Sequence, residues 1–305
     1  MVTIQTTKDE WQMQLQLNNI AKYFGEKPVL NGISLHVDAG RAFGLLGRNG
    51  AGKTTTIRIL MNVFPPTSGN VTLDGNPIDY AKTKFGYLPE ERGLYPKKTI
   101  VEQLTYFAML KGMDKAAAVA SVDKWLARLD MSAYRDKRLD TLSKGNQQKI
   151  QLITALTHDP DVVILDEPFS GLDPVNAMLL KDVVRETIDK GKIVLFSSHQ
   201  MNYIEEFCDD IAILADGKIA LQGDLNQIKR SYPRNKLVVR TQQTEQLLQS
   251  ESCTRIADDT VLVAADDVTE TMRRLTQTYA LDEIRVFEPS LNDIFVQYTD
   301  TEATK

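Results

Sequence analysis

Residues 47–54 of this chain read Gly-Arg-Asn-Gly-Ala-Gly-Lys-Thr. The first residue and the last three match the pattern G-x-x-x-x-G-K-[ST], in which the glycines let the backbone curl until its N–H groups surround a triphosphate. Residues 41–46 before this stretch read as a short buried strand, and residues 54–63 after it have the apolar spacing of a helix. Strand, glycine-rich loop and helix in this order predict a phosphate-binding site rather than a glycine-rich surface turn.

The chemistry of this loop predicts a nucleoside triphosphate with Mg²⁺ as its ligand. A helix N-terminus presents free N–H groups and a partial positive charge to the phosphates. We expect the Lys53 ammonium to reach the β- and γ-phosphates and the Thr54 hydroxyl to reach Mg²⁺. The residues predicted to bind the nucleotide here are Gly47, Asn49, Gly50, Gly52, Lys53, Thr54 and Thr55.

The composition sets the size and the class of the protein. With 305 residues, 42% of them apolar, the chain is long enough for one large domain and a small one. Its 36 basic and 41 acidic residues give a formal charge of −5. No run of five or six like charges stands out in the sequence. We therefore expect no nucleic-acid partner bound through a basic face.

Three features predict a location inside the cell. The two cysteines, Cys208 and Cys253, have no C-x-x-C or metal spacing, which fits a reducing cytosol. Residues 1–12 read as a polar tail that lacks the pattern of a secretory signal. No segment of the sequence approaches 18 consecutive apolar residues, so a role at a membrane requires other subunits.

The segments around the phosphate loop predict an α/β domain over residues 13–230. Short alternating stretches separated by turn residues are typical of antiparallel strands on the rim of the site. These stretches are 14–20, 33–37 and 71–73. A helical block over about 99–157 follows, and it opens with a T-x-x-E capping box formed by Thr99 and Glu102. Its later helices are predicted at 116–129 and 147–157.

The second half of this domain has the pattern of a parallel sheet. Residues 162–165 and 193–197 read as fully buried strands with a helix, 175–190, between them, which is a βαβ unit. Residues 211–214 and 218–222 read as a hairpin with an Asp-Gly turn. The predicted fold is therefore a mixed sheet core with an antiparallel β rim and an α-helical subdomain.

A second, smaller domain is predicted at residues 236–305. The run Ser-Tyr-Pro-Arg-Asn at 231–235 interrupts the periodicity and marks the boundary. Beyond it the patterns follow the order β-α-β-β-α-β, which is typical of a small α+β ferredoxin-like domain. The predicted segments are 236–240, 243–248, 254–257, 261–264, 268–279 and 283–287.

Two carboxylates follow the predicted strand 162–165. Asp166 and Glu167 stand at its carboxyl end, where open α/β sheets bind ligands. Asp166 is suited to hold Mg²⁺ directly or through water, and Glu167 to orient and polarise the attacking water. The alternative is a pair of surface carboxylates at a strand end, and the phosphate loop upstream makes it the weaker interpretation.

Two further segments supply candidates for phosphate contacts. Residues 142–147 open a helix, and Ser143 with the Gly145 backbone supplies donors at its N-terminus. A plain Ser N-cap with a flexible glycine is the alternative there. His199 follows the strand 193–197, and a satisfied core histidine is the alternative to a phosphate contact. The fixed order of the segments along the chain favours the functional interpretation of both.

Together these segments resemble the ATP-binding subunits of ABC transporters. The resemblance covers residues 15–228 and identifies the nucleotide as ATP. The matching segments are the Walker A loop at 47–54, the Q-loop at 86–90, the signature motif at 142–147, the Walker B strand at 162–166, the D-loop at 170–173 and the switch histidine at 199.

This resemblance assigns roles to single residues. It implies that Glu167 is the catalytic glutamate, that His199 hydrogen-bonds the γ-phosphate, and that Ser143 and Gly145 contact a γ-phosphate bound by another cassette. Phe24 matches the aromatic residue that stacks on adenine; a strand-end aromatic packed in the core is the alternative for it.

Two departures from the family pattern have expected consequences. Lys144 and Asn146 stand where the commonest signature has Gly and Gln, while Ser143 and Gly145 are kept, so we expect binding across the dimer to be intact. Glu90 stands where a glutamine is usual. A carboxylate still coordinates Mg²⁺ through water, but its charge lies beside a triphosphate, so we expect the metal dependence or the coupling to the partner to differ.

The resemblance also implies partners. In the family two cassettes meet head to tail, and each ATP lies between the Walker A loop of one and the signature of the other. Because this chain has one copy of each motif, we expect a homodimer, or a heterodimer with a sister ATPase subunit. Residues 91–98 match the surface that receives the coupling helix of a membrane-spanning permease subunit, with a solvated loop as the alternative. The expected location is cytoplasmic, peripheral on the inner face of the cell membrane.

Three functional classes compete. The run 144–149, Glu90 and the tail 288–295 resemble ABC-2-type exporters, including sodium-export-like systems, so an ATPase that energises export is the leading hypothesis. The alternative is a soluble ABC ATPase acting on ribosomes or DNA, which usually carries two cassettes or long coiled coils that this sequence lacks. A P-loop GTPase needs an Asn-Lys-x-Asp motif, and the Asn-Lys at 235–236 is followed by Leu-Val.

Overall fold

The computed structural model describes residues 13–91, 93–169 and 172–299. The predicted tail 1–12, Arg92, residues 300–305, and Ser170 and Gly171 of the predicted D-loop lie outside the described residues. The chain forms two compact units, one up to Leu225 together with the chain from Phe295 on, and one over Asn226–Ile294. Within the described ranges, the helices lack the length and apolar character that crossing a membrane requires.

The chain up to Leu225 alternates strands and helices. In chain order it forms β1 (Gln14–Phe24), β2 (Lys27–Asp38), β3 (Ala42–Gly47), α1 (Lys53–Leu60), β4 (Ser68–Leu73), β5 (Asn76–Pro77), β6 (Phe85–Leu88), α2 (Ile100–Leu110), α3 (Lys115–Arg128), α4 (Lys144–Leu156), β7 (Val162–Asp166), α5 (Pro174–Asp189), β8 (Ile193–Ser197), α6 (Met201–Phe207), β9 (Asp210–Ala215) and β10 (Lys218–Asp224).

The centre of this unit is a sheet. Among the described residues it has six strands, in the order β10-β9-β3-β8-β7-β6. The strands from β9 to β6 run parallel, and β10 pairs antiparallel with β9 through the predicted Asp-Gly hairpin. Every residue of β3, β7 and β8 is buried, as expected for parallel strands covered on both faces. Because these three strands are parallel neighbours, the loops after them open at one edge of the sheet.

A second sheet, in the order β2-β1-β4-β5, forms the predicted antiparallel rim. Its strands are longer than predicted: β2 begins at Lys27, six residues before the predicted start at Ile33. The early part of β2, Lys-Pro-Val-Leu-Asn-Gly, lacks the alternation of apolar and polar residues on which the prediction depended. Register shifts near Ile20 mark irregular pairing of β1 with both of its neighbours.

Helices α2, α3 and α4 form the predicted helical subdomain. The predicted capping box is confirmed: Thr99 Oγ1 accepts the Glu102 N–H at 3.4 Å, and the Glu102 carboxylate accepts the Thr99 N–H at 3.1 Å. Helix α4 begins at Lys144, three residues earlier than the predicted 147, because Ser143 caps it and the polar first turn continues the helix.

From Leu225 on, the chain forms α7 (Leu225–Ser231), β11 (Lys236–Arg240), α8 (Thr244–Ser250), β12 (Cys253–Ala257), β13 (Thr260–Ala264), α9 (Val268–Thr278), β14 (Glu283–Val286) and α10 (Leu291–Thr299). The sheet has the order β12-β13-β11-β14 with antiparallel neighbours, which is the ferredoxin-like arrangement predicted from the sequence. Leu237, Val261, Leu247 and Leu275 belong to its own buried core. The proposed domain bounds, 13–230 and 236–305, stay a prediction.

Candidate functional site

Gly47 and Gly52 of the loop between β3 and α1 have no room for a side chain. Gly52 lies just before α1 with φ 114°, and a Cβ there would lie 2.6 Å from Leu30 Cδ2. A Cβ on Gly47 would lie 2.6 Å from the Leu214 carbonyl oxygen of β9. The loop therefore packs directly against neighbouring strands, and its N–H groups remain available at the start of α1.

A cavity of about 1180 Å³ opens over this loop. It contains most of the residues predicted from the sequence, drawn from the loop and from the ends of β6, β7 and β8. The predicted residues that line it are Gly47, Asn49, Gly50, Gly52, Lys53, Thr54, Thr55, Glu90, Asp166, Glu167 and His199.

Lys53 lies within electrostatic range of three carboxylates at this site. Its Nζ donates to the Gly47 carbonyl oxygen at 2.6 Å. Burial lowers the pKa of Lys53, while the charges of Glu167, Asp166 and Glu90 act in the opposite direction. The geometry thus brings the predicted lysine and all three predicted acidic residues within electrostatic range of one another.

Asp166, the last residue of β7, is buried and accepts a hydrogen bond from β8. It is 4% exposed, and the Ser197 hydroxyl of β8 donates to its Oδ1 at 2.5 Å. Burial raises the pKa of Asp166, and the bond from Ser197 and the charge of Lys53 oppose that rise. Burial and the charge of Asp166 raise the pKa of Tyr87 to about 12, so the phenol stays protonated.

Glu167 has an unusual backbone and a fixed carboxylate. Its φ of 51° places a non-glycine residue in the left-handed region, where its N–H donates to the Ser197 carbonyl oxygen at 2.8 Å. The Ser198 hydroxyl donates to its Oε2 at 2.9 Å, and the His199 N–H donates to Oε1 at 2.9 Å. His199 Nδ1 lies 2.6 Å from the same Oε1. The loop after β8 therefore sets the direction of this carboxylate.

The exposure of these side chains argues against the two alternative interpretations, while their roles stay predictions. Asp166 and Glu167 are 4% and 5% exposed, so they are not surface carboxylates. The His199 side chain is 61% exposed, so it is not a core histidine. All three line the same cavity.

Phe24 lies outside the lining of this cavity. It is half exposed at the end of β1, and its ring meets Phe64 edge to face at a centroid distance of 5.6 Å. Lys22 Nζ lies 5.2 Å from the Phe24 ring centroid. Phe24 is therefore not packed in the core, and its contact with adenine stays a prediction.

Ser143 and Gly145 also lie outside the cavity lining, at the start of α4. Ser143 is exposed, and its Oγ accepts the Asn146 N–H at 3.3 Å as the N-cap. A Cβ on Gly145 would meet only ordinary contacts, 3.6 Å from Asn176 Nδ2 and 3.7 Å from Leu172 Cδ2. The structure brings neither residue to the phosphate loop of its own chain.

Ser197 and Tyr87 were not among the residues predicted from the sequence. The pairing of β7 with β8 places Asp166 opposite Ser197, which is how the hydroxyl reaches the carboxylate. The Ser-Ser-His run at the end of a buried strand was the available signal for Ser197. Tyr87 lies on β6 next to β7, and only the order of strands in the sheet reveals that neighbourhood.

A phosphate loop, a buried aspartate and a fixed glutamate at one edge of a parallel sheet define a nucleoside-triphosphate-hydrolysing cassette. The ABC transporter family model matches residues 30–170. A second model, the C-terminal domain of DrrA1-3-like ATP-binding proteins, matches residues 223–299.

Whole-chain relatives extend this match. The chain is 42% identical to the uncharacterized ABC transporter ATP-binding protein YhaQ of Bacillus subtilis, over 93% of this chain and 97% of the relative. It is 36% identical to the Nod factor export ATP-binding protein I of Burkholderia lata, over 68% of this chain and 70% of the relative. A solved ATP-binding subunit of an ABC transporter superposes with a TM-score of 0.65 at 30% identity, over 71% of this chain and 92% of that one.

The chain therefore belongs to the ABC transporter family as an ATP-binding subunit. Proteins of this family are ATPases coupled to transport.

Proposed function

We propose that this chain binds ATP with Mg²⁺ over the phosphate loop and hydrolyses it with Glu167 to energise export through separate membrane-spanning subunits. The observation that carries the proposal is the placement of Lys53, Asp166, Glu167 and His199 around one cavity. The adenosine triphosphate would lie along the loop, where the start of α1 offers N–H groups and Lys53 offers its charge.

The donor atoms around the cavity fit Mg²⁺. The hydroxyl of Thr54 and the carboxylates of Asp166 and Glu90 are hard oxygen ligands, which this ion prefers. When bound, the ion neutralises charge on the phosphate oxygens. Ser197 orients the Asp166 carboxylate by donating to Oδ1.

Glu167 is suited to act on the attacking water. Its two oxygens accept hydrogen bonds from Ser198 and His199, so the carboxylate cannot rotate freely. A fixed carboxylate orients a water molecule and accepts its proton as attack proceeds. His199 uses Nδ1 on Glu167, and we assign its Nε2 to the γ-phosphate.

The signature residues point to a shared site. Ser143 and Gly145 lie outside the cavity of their own chain, so we assign them to the ATP held by a second cassette. That cassette is either a second copy of this chain or a sister ATPase subunit. In a head-to-tail pair each of two sites would take its phosphate loop from one chain and its signature from the other.

The segment after the Q-loop has the character of a protein-docking surface. Tyr95 stacks on Phe107 with a centroid distance of 5.9 Å and an interplanar angle of 9°, yet it remains 51% exposed. An open pocket with a volume of about 360 Å³ lies beside it, lined in part by Tyr95, Lys98 and Tyr106. Exposed aromatic residues with flanking charges are typical of interfaces, and we assign this surface to a permease subunit at the inner face of the membrane.

The named relatives support export as the direction of transport. The Nod factor export proteins are exporters by name, and they match 68% of this chain. The substrate contacts of such a system would lie on the membrane-spanning subunit.

Recovery of the bound partner tests this proposal. Tagged Glu167→Gln protein, held with ATP, is isolated from detergent-solubilised native membranes, and the proteins that come with it are identified. We expect a polytopic membrane protein in stoichiometric amount, and its loss when Leu94 and Tyr95 are both changed to Ser. Tyr134→Ser, an exposed tyrosine outside this segment, is the matched control. Ribosomal or DNA-bound partners without a membrane protein would reject the proposal in favour of a soluble ATPase.

A further inference from the structure

Gln151 connects the helix that begins at the signature with the loop that carries Glu90. Its Nε2 donates to the Pro89 carbonyl oxygen at 2.7 Å and to the Glu91 carbonyl oxygen at 3.3 Å. These carbonyls stand on either side of Glu90 in the sequence. A glutamine amide has two N–H donors, and both bond this loop. We propose that Gln151 is a positioning residue that ties Glu90 to helix α4 and so sets the metal affinity of the site.

The orientation of the Gln151 amide is determined by its surroundings. The residue is 3% exposed, and its Oε1 has no hydrogen-bond partner among the residues that the structure describes. The reversed amide would place Oε1 against two carbonyl oxygens, so only the observed orientation bonds the loop. An unpaired buried oxygen costs free energy, which an apolar side chain of the same shape would avoid. The contribution of Gln151 is therefore its bonds to the loop rather than the volume that it fills.

The loop needs this support because the sheet does not reach it. Pairing of β6 with β7 ends at Leu88, opposite Leu165. Glu90 follows two residues later and lines the cavity from the loop. Asp166 is fixed by its own strand, so the separation between Glu90 and Asp166 depends on how the loop is held. Gln151 holds it from α4.

A second glutamine on α4 extends the same arrangement. Gln148 is three residues earlier, on the same face of the helix, and its Nε2 donates to the Pro168 carbonyl oxygen at 3.2 Å. Pro168 directly follows Glu167. Helix α4 thus donates hydrogen bonds to the backbone next to Glu90 and to the backbone next to Glu167.

The test is a titration of Mg²⁺ with the full chain, and it rests on the proposed role of Glu90 at the metal. Gln151→Met keeps the length of the side chain and removes both donors. We expect the Mg²⁺ concentration for half-maximal ATP hydrolysis to rise about fivefold, the size expected for the loss of one or two hydrogen bonds. ATP affinity measured in EDTA should stay within about twofold, because the phosphate loop is untouched.

Gln103→Met is the matched control. Gln103 is buried on α2, its Oε1 accepts the Tyr95 N–H at 3.1 Å, and its Nε2 donates to the Lys98 carbonyl oxygen at 3.5 Å. Gln103 therefore bonds the chain at Tyr95 and Lys98, several residues after Glu90. We expect its Mg²⁺ half-saturation to stay within about twofold of the wild type, since general loosening of the segment leaves Glu90 in place.

A double-mutant cycle with Glu90→Ala separates the possible outcomes. If Gln151 acts through Glu90, Gln151→Met adds no further shift in the Glu90→Ala background. Equal shifts in both backgrounds, an equal shift in the Gln103 control, or no shift at all would overturn the inference. An unshifted Glu90→Ala would also overturn it and remove Glu90 from the metal site. A wild type without Mg²⁺-dependent hydrolysis would instead reject the proposed function. Gln151→Asn, one methylene shorter, replaces Gln151→Met if that variant does not fold.

Discussion

Glu167→Gln is expected to keep the structure of the site and to remove its chemistry. The His199 N–H points at Oε1, so the amide oxygen of glutamine must take that position. The amide NH₂ then takes the position of Oε2, opposite the Ser198 hydroxyl, which turns from donor to acceptor. The hydrogen bonds are conserved in number, so we expect the free energy of unfolding to change by no more than about 1 kcal/mol.

The expected loss in turnover is much larger. An amide cannot accept the proton of the attacking water, and loss of a positioned base slows a reaction about 10²- to 10⁴-fold. This corresponds to a rise of about 3–5 kcal/mol in the barrier. ATP affinity should stay the same or increase, because one negative charge leaves a site that already holds Asp166 and Glu90.

The assay combines three measurements on the purified protein: steady-state ATP hydrolysis, equilibrium ATP binding, and urea unfolding as the control for folding. A Glu167→Gln variant that is folded, binds ATP and retains more than about a tenth of the wild-type turnover would refute the assignment of Glu167 as the base.

The remaining predictions concern one catalytic contact and two features of stability. His199→Ala removes the ring contact with the Glu167 carboxylate but keeps the backbone N–H bond, so turnover should fall about 10²-fold with little change in ATP binding by equilibrium titration. Gly86→Ala places a Cβ 2.3 Å from the Ala155 carbonyl oxygen, so thermal and urea unfolding should show a loss of about 1–3 kcal/mol; Gly93→Ala, with open space around it, should show none. Burial lowers the pKa of His158 below its ordinary 6.5, and its Nδ1 has no partner among the described residues. Protonation of His158 therefore favours the unfolded chain. The neutral imidazole contributes its full share of stability above pH 6.5, and this share is lost as the pH falls from 6.5 through the lowered pKa. In urea titrations the free energy of unfolding should fall by at most about 1.4 kcal/mol per pH unit. A pH profile unchanged in His158→Phe would contradict this.

Local periodicity was sufficient to predict the buried strands and the edge of the sheet at which the site residues lie. Residues 162–165 and 193–196 are apolar throughout, so the segments 162–165 and 193–197 were identified as neighbouring parallel strands. The loops after parallel neighbours share one edge of a sheet, and this predicted that Asp166, Glu167 and His199 would meet at the cavity.

The contacts that orient these residues could not be predicted from the sequence. No local pattern predicts the positive φ of Glu167, because it results from the backbone bond to Ser197 on the neighbouring strand. The bond of Gln151 to Pro89 joins residues 62 positions apart and depends on how α4 packs beside β6. The alternating pattern of β1 predicted a strand but not its length, so it did not show that Phe24 would lie beside Phe64.

In the proposed function a complete ATP site takes its phosphate loop from one chain and its signature from another. Lys53→Ala removes the loop function, and Gly145→Asp places a carboxylate at the signature where a Cβ meets only ordinary contacts. Each variant alone should be inactive. An equal mixture contains pairs with one intact site, so about a quarter of the wild-type ATP hydrolysis should return when pairing is random. A mixture that stays as inactive as the separate variants, although sedimentation shows mixed pairs, would contradict the shared site.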